Sequence, residues 1–453
     1  MPRQPGAGEL HGNPGNGGPL SEGSDSRGRP DPVSPPGLVE HFFRHEYGRL
    51  VAVLVRRVGL DHLELVEDAV QGALMAALTS WVAKGIPREP EAWLYRVALN
   101  NLMGVLRRDQ RRVRILEGAD VAGDDAREEP VSAGFAGEVR DELLRMLFVC
   151  CDEALPPESR LVLALKTLCG FSTGEIAFRL FTSEANVHKR LARAREALRK
   201  IAVDTQTPPL EALRARLSSV HAVIYLLFNE GYLSVHAERA IRSELCDEAI
   251  RLGTLLATHP VGATPETFAL LALMHLHAAR LSARQDAVGG LLLLEEQDRT
   301  QWDQEGIRRG VEWLARASSG DVFTRYHAEA GIAAAYALAP SFAETRWEEI
   351  ADLHAMLERI DPSPLHTLNR AIAVAEARGA AAGLAVLEGL VPPAWLAGHY
   401  LWAAVLADLY RRAGDAEMYQ RYREQALASA PTDSLREVLG RRLAPPSLVR
   451  PTE

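Results

Sequence analysis

From Leu38 almost to the end of the chain, apolar residues recur at three- and four-residue spacing, and no convincing period-two alternation interrupts them. Such spacing lines one face of a helix and leaves nothing from which to build a sheet, so the fold is expected to be all-α. The chain has 453 residues, 47% of them hydrophobic. At roughly 100 to 200 residues per domain it has material for several domains with ample core. Residues 1–37 stand apart: nine Gly and eight Pro, with hardly a large apolar side chain. They cannot bury enough surface to offset chain entropy, and a disordered tail is expected there.

The first helical block falls at 38–114. "LVEHFFRHEYGRLVAVLVRRVG" puts Phe42, Leu50, Leu54 and Val58 on one face, with Gly59 suited to the C-terminal cap. A second helix starts after Asp61, and a third runs from about Pro90, a residue suited to a first helical turn. With 60 Asp and Glu against 51 Lys and Arg the net charge is -9, which excludes a small, uniformly basic nucleic-acid binder. The basic residues are instead concentrated. "RRDQRRVR" carries Arg107, Arg108, Arg111, Arg112 and Arg114 against Asp109 alone, which suits either a phosphate backbone or a solvated helix end that complements the helix dipole. Upstream on the same helix lie Trp93, Tyr95 and Asn100. The two aromatics suit either stacking on unpaired bases or a place in the core, and the Asn amide suits reading of a base edge.

Between Glu117 and Glu142 the charge reverses, with nine acids against two Arg among Gly, Ala and Pro. Residues 115–138 are therefore expected to form an acidic linker, followed by a second helical unit at 139–203. In that unit Ser172 and Glu175 satisfy the S-x-x-E capping box, and Ser183 is placed to cap the next helix. A short helix, a turn of about three residues and a longer helix make a helix-turn-helix, with Ala177 at the crossing and Val187 and Leu191 packing inward. The second helix carries Lys189, Arg190, Arg193, Arg195, Arg199 and Lys200 on its outward face. That charge suits phosphate contacts in a major groove, with Glu184, Asn186 and His188 near base edges; a plain hairpin with a solvated basic face is the other reading.

"GFSTGEIAFRLFTSEANVHKRLARAREALR" resembles region 4 of bacterial RNA polymerase sigma factors of the extracytoplasmic-function class. "EDAVQGALMAAL" and "PEAWLYRVALNNLMGVLRR" resemble region 2 of the same class, and together the two segments cover about 38–201 in the family's order. The resemblance implies that Glu67, Asp68 and Gln71 grip the clamp helices of core polymerase. It implies that Asn100 reads the melted -10 element and that the Arg107 to Arg112 block contacts its backbone; the aromatic chemistry of Trp93 and Tyr95 makes them candidates for the same DNA. The helix from Ser183 to Arg195 would read the -35 element, and its apolar neighbours would face the polymerase flap. The sequence departs from the family frame at Gly72, Leu99 and Gly104, and at Phe181, which replaces the Gly of the helix-turn-helix turn.

The remainder, about 207–443, is Ala- and Leu-rich and helical in pattern. With Gly414 at the turn of a 34-residue tetratricopeptide repeat, Leu406, Ala407, Tyr410, Ala426 and Pro431 fall on the repeat's characteristic positions. A tetratricopeptide-like α-solenoid is expected. "VHAVIYLLFNEGY", "LLALMHLHAAR" and "GGLLLLEEQDRTQWD" resemble the C-terminal extension of one group of these sigma factors. That likeness implies modulation of sigma activity through a ligand, a protein partner or an intramolecular contact. A chain ended near Thr205 is expected to keep both DNA-binding units complete.

No catalytic motif emerges. Asn229 and Glu230 precede a helix end at Gly231; His275 and His277 diverge by about 200° on a helix and cannot share a metal from one face. Asp286, Glu295, Glu296 and Asp298 read as solvated. The expectation is a protein without enzymatic activity, cofactor or metal. Cys150, Cys151 and Cys169 sit in apolar runs as small core residues. The cysteine pattern and the lack of an 18-residue apolar span or a signal-peptide order suggest a cytoplasmic protein without a membrane partner. Two other functions account for part of the chain: a helix-turn-helix regulator that never joins polymerase, and a tetratricopeptide scaffold.

Overall fold

The structure, a computed structural model, describes residues 35–116, 135–200, 210–234, 240–286 and 290–445. The expected disordered tail (but for its last three residues) and most of the acidic linker lie outside these. Among the described residues the fold is helical throughout, with no strand and a single isolated bridge between Gln285 and Leu291.

Three long helices open the chain: α1 (Pro35–Val58), α2 (Leu63–Lys84) and α3 (Pro90–Leu116). Helix α1 thus begins slightly before the expected residue 38. Leu50 and Leu54 on α1, Val66, Val70 and Ala73 on α2, and Leu94, Ala98 and Leu102 on α3 are fully buried, which is what the three-four spacing requires. The second unit comprises α4 (Phe135–Cys150), α5 (Pro157–Thr167), α6 (Thr173–Arg179) and α7 (Glu184–Lys200).

The rest is built from helices laid against their neighbours in sequence. These are α8 (Leu210–Tyr232), α9 (Ser243–Thr258), α10 (Pro265–Ala278), α11 (Gln304–Ala317), α12 (Arg325–Leu338) and α13 (Trp347–Ile360). They continue as α14 (Pro364–Arg378), α15 (Ala380–Leu387), the single turn α16 (Ala394–Ala397), α17 (Tyr400–Ala413), α18 (Ala416–Ala428) and α19 (Asp433–Arg442). The pair α17 and α18 turns at Gly414, whose φ of 82° is the left-handed conformation that a glycine adopts without steric cost. Leu406, Ala407 and Ala426 are buried in that pair, and the Tyr410 ring stacks on Tyr422 with centroids 5.8 Å apart.

The core is not divided where the sequence suggests. One continuous apolar cluster runs from Tyr47 on α1, through Leu147, Leu163 and Phe171, into Val220, Ile224 and Phe228 on α8 and on to α12. Smaller clusters hold the later helices together. The second unit therefore shares its core with the first helices of the extension. Arg216 on α8 donates to the Phe148 carbonyl at the end of α4 at 3.1 Å and pairs with Asp152 at 2.5 Å. A chain cut near Thr205 would not leave that unit complete, contrary to the sequence expectation, because α4 and α5 would lose the face that α8 covers.

Candidate functional site

The helix-turn-helix forms at its expected place. Glu175 N donates to Ser172 Oγ at 3.2 Å and Ser172 N to Glu175 Oε2 at 2.7 Å, so the capping box is complete. Ser183 Oγ accepts from Asn186 N at 3.3 Å and caps α7. Ala177, Val187 and Leu191 are buried at the crossing of α6 and α7. Phe181 holds the turn with φ of 48°, the left-handed region that disfavours a bulky side chain. Its ring lies 4.7 Å from Trp395 and 5.7 Å from His399, both in the extension, so the turn is braced from outside the unit.

On α7, His188, Lys189 and Arg193 are exposed, with Lys189 and Arg193 four residues apart on one face. The other cations of this helix are engaged. Arg190 pairs with Glu158 at 2.7 Å, Arg199 with Glu64 at 3.1 Å, and Arg195 with Glu64 at 3.5 Å and with Glu67. Two of the three residues expected at base edges are held locally: Glu184 Oε2 accepts from Thr173 Oγ1 at 2.9 Å, and Asn186 Nδ2 donates to Thr182 Oγ1 at 2.9 Å. His188 is the exposed one left without such a tie.

On α3, Asn100, Arg107, Arg108 and Arg111 are exposed, while the side chain of Arg112 lies outside the described residues. Asn100, Arg107 and Arg111 fall on one helical stripe with Arg96, which is also exposed. Arg96 escaped the sequence reading, although its position four residues before Asn100 was signal enough. The aromatics behave differently from the expectation of base stacking. Tyr95 is only 6% exposed, because 95, 98 and 102 share the inward face of α3, and its hydroxyl accepts from Arg57 Nη1 at 3.4 Å. Trp93 is partly buried and packs edge-on against Trp81 at 5.6 Å. Both belong to the packing of the bundle.

The three residues expected to grip polymerase also divide. Asp68 and Gln71 are exposed on α2. Glu67 is 4% exposed and accepts from Thr167 Oγ1 at 2.7 Å and from Arg195. Burial pushes its carboxyl above the usual range, against the opposing pull of Arg195 and Thr167.

A second polar cluster joins α6 to the extension. Arg179 donates to Glu230 Oε2 at 2.7 Å and to the Asn229 carbonyl at 3.2 Å. Arg242 bridges Glu175 at 2.8 Å and Glu230 at 3.4 Å, and Ser234 Oγ donates to Glu230 Oε1 at 2.5 Å. Glu230 and Arg242 are buried, at 0% and 3% exposure. Of the other polar residues singled out in the extension, Asp286 accepts from Gly290 N at 2.8 Å and Glu296 from Leu293 N at 2.6 Å. Asp298 accepts from Thr300 N at 2.9 Å. The His277 ring lies 5.0 Å from that of Tyr232, and burial beside Arg280 and Arg284 pushes its imidazole down to about 3. Cys150, Cys151, Cys169 and Cys246 are buried free thiols; burial pushes that of Cys151 up to about 12. Among the described residues no helix is long and apolar enough to cross a membrane.

Residues 42–112 match sigma-70 region 2, residues 145–198 match sigma-70 region 4, and residues 216–318 match a family of unknown function, DUF6596. The chain is 36% identical over 370 residues to the uncharacterized protein R00370 of Rhizobium meliloti (strain 1021), covering 82% of this chain and 87% of that one. It belongs to the same family as that protein. It is also 28% identical over 165 residues to the RNA polymerase sigma factor NccH of Alcaligenes xylosoxydans xylosoxydans, covering 35% of this chain and 84% of NccH. No solved structure matches it.

Proposed function

We propose that the chain is an RNA polymerase sigma factor of the extracytoplasmic-function class, acting in the cytoplasm, whose tetratricopeptide-like extension modulates its activity. Region 2 docks on the clamp helices of core polymerase through Asp68 and Gln71, and through Glu67 once that residue is uncovered. The stripe of Arg96, Asn100, Arg107 and Arg111 follows the -10 strand, with the amide of Asn100 at a base and the guanidiniums on phosphates. Region 4 docks on the flap and lays α7 in the major groove of the -35 element. The observation that carries this reading is the presence, in one chain and in this order, of the exposed Asn100 stripe and a capped helix-turn-helix with Lys189 and Arg193 open on its second helix.

The two kinds of contact on α7 are expected to fail differently. Arg193→Ala removes a phosphate contact, so holoenzyme should bind every promoter more weakly and the slope of log affinity against log salt should shrink by about one. His188→Ala should leave the salt slope unchanged and alter preference at one -35 position, by about 1 to 3 kcal/mol. Salt titrations on a set of -35 variants measure both. The same uniform loss from the two substitutions would mean that α7 does not read sequence.

A further inference from the structure

Region 2 and region 4 meet along a seam that takes up Glu67, one of the residues region 2 would offer to polymerase, together with Arg195 and Arg199 of the recognition helix. Glu67, on the face of α2 assigned above to the clamp helices, is covered by α5 and α7 and bonded to Thr167 and Arg195. Glu64, one turn earlier, takes Arg195 at 3.5 Å and Arg199 at 3.1 Å. Two cations of the recognition helix thus neutralise two carboxylates of region 2.

Close backbone packing holds the seam shut. Gly48 on α1 lies against the turn after α5, and a Cβ there would overlap the Leu168 carbonyl oxygen and stand 2.9 Å from its carbon. Only a residue without a side chain permits that approach. About two turns further along α1, Arg56 donates to Glu142 on α4, which also accepts from Arg145 at 2.7 Å. Buried apolar residues of α1 and α4 belong to one core across the seam.

We infer that this is a self-masked form, in which region 4 covers the polymerase-facing carboxylate of region 2, and that the seam between α1–α2 and α4–α7 opens before core polymerase binds. The inference rests on the sigma-factor reading above and adds a specific gate to it. Asp68 and Gln71 stay exposed in the masked form. They give polymerase a first contact, and the full grip waits for Glu67. Region 4 stays attached to the extension when the seam opens, because the Arg179, Glu175, Glu230 and Arg242 cluster and the Phe181 contact join it to the extension without any residue of α1 or α2.

The test uses the full chain with Gly48→Ala, a residue of the seam that is assigned to neither the polymerase nor the DNA contact. Hydrogen exchange along α2 and α7 reports whether the seam has opened, and titration of labelled protein with core polymerase reports affinity. Faster exchange on both helices with at least tenfold tighter binding of core is expected. Arg195→Gln, which removes the cation facing Glu67 without adding volume, serves as the second variant should Gly48→Ala lose its cooperative melting, and the same tightening is expected from it. Faster exchange with core affinity unchanged within twofold would overturn the masking while leaving the sigma reading intact. No binding of core by any of the proteins would overturn both.

Discussion

Glu230→Ala is expected to lower stability by about 3 to 5 kcal/mol, the usual cost of removing one member of a buried ion-pair cluster. Glu230 is fully buried and accepts from Arg179, Arg242 and Ser234. Its loss leaves Arg242, itself only 3% exposed, with Glu175 and the more distant Glu244 as its ionic partners. At roughly 2 to 4 °C per kcal/mol the melting temperature should fall by about 10 °C. Glu230→Gln keeps the shape and one acceptor and should cost less. Calorimetry on the full chain decides, and a fall under about 1 kcal/mol for Glu230→Ala would mean that the cluster does not hold region 4 to the extension.

Ending the chain at Thr205 should have a still larger effect. Helix α8 would be lost, and with it Leu213, Leu217, Val220 and Ile224, which share a core with Leu147, Val162 and Leu163 of region 4. At about 25 cal/mol per Å² of apolar surface returned to water, a bared helix face outweighs the stability of a small helical unit. The shortened protein is expected to aggregate or to melt without a cooperative transition, as read by size-exclusion chromatography and circular dichroism. A soluble monomer with a sharp transition would show that region 4 does not depend on the extension's core.

Local rules made much of this fold legible in the sequence. The period of apolar residues gave the helices, Ser172 with Glu175 gave the start of α6, Ser183 gave the start of α7, and Gly414 gave the turn between α17 and α18. These signals lie within a few residues of what they determine. Partners distant in sequence were not legible. Glu67 reads as an outward acid because nothing near it in the chain announces Thr167 and Arg195, 100 and 128 residues further on. Glu230 reads as a helix-end residue because Arg179 is 51 residues away. Tyr95 reads as a core residue before a base platform, and the choice is made only when the face it shares with Ala98 and Leu102 is seen to be the inner one. Phe181 looks like a defect in a turn until Trp395 and His399 arrive from the far end of the chain. In each case the residue type was informative and its surroundings were set by tertiary packing.

The central claim, that these helices form a working sigma factor, is tested most directly by run-off transcription with purified core polymerase on a promoter bearing matched -10 and -35 elements. Transcripts that start at one position, require the full chain, and vanish when Asp68 and Gln71 are both replaced by Ala are the predicted result. A chain that binds the -35 DNA yet neither associates with core polymerase nor yields a specific transcript, with Gly48→Ala behaving the same, would contradict it.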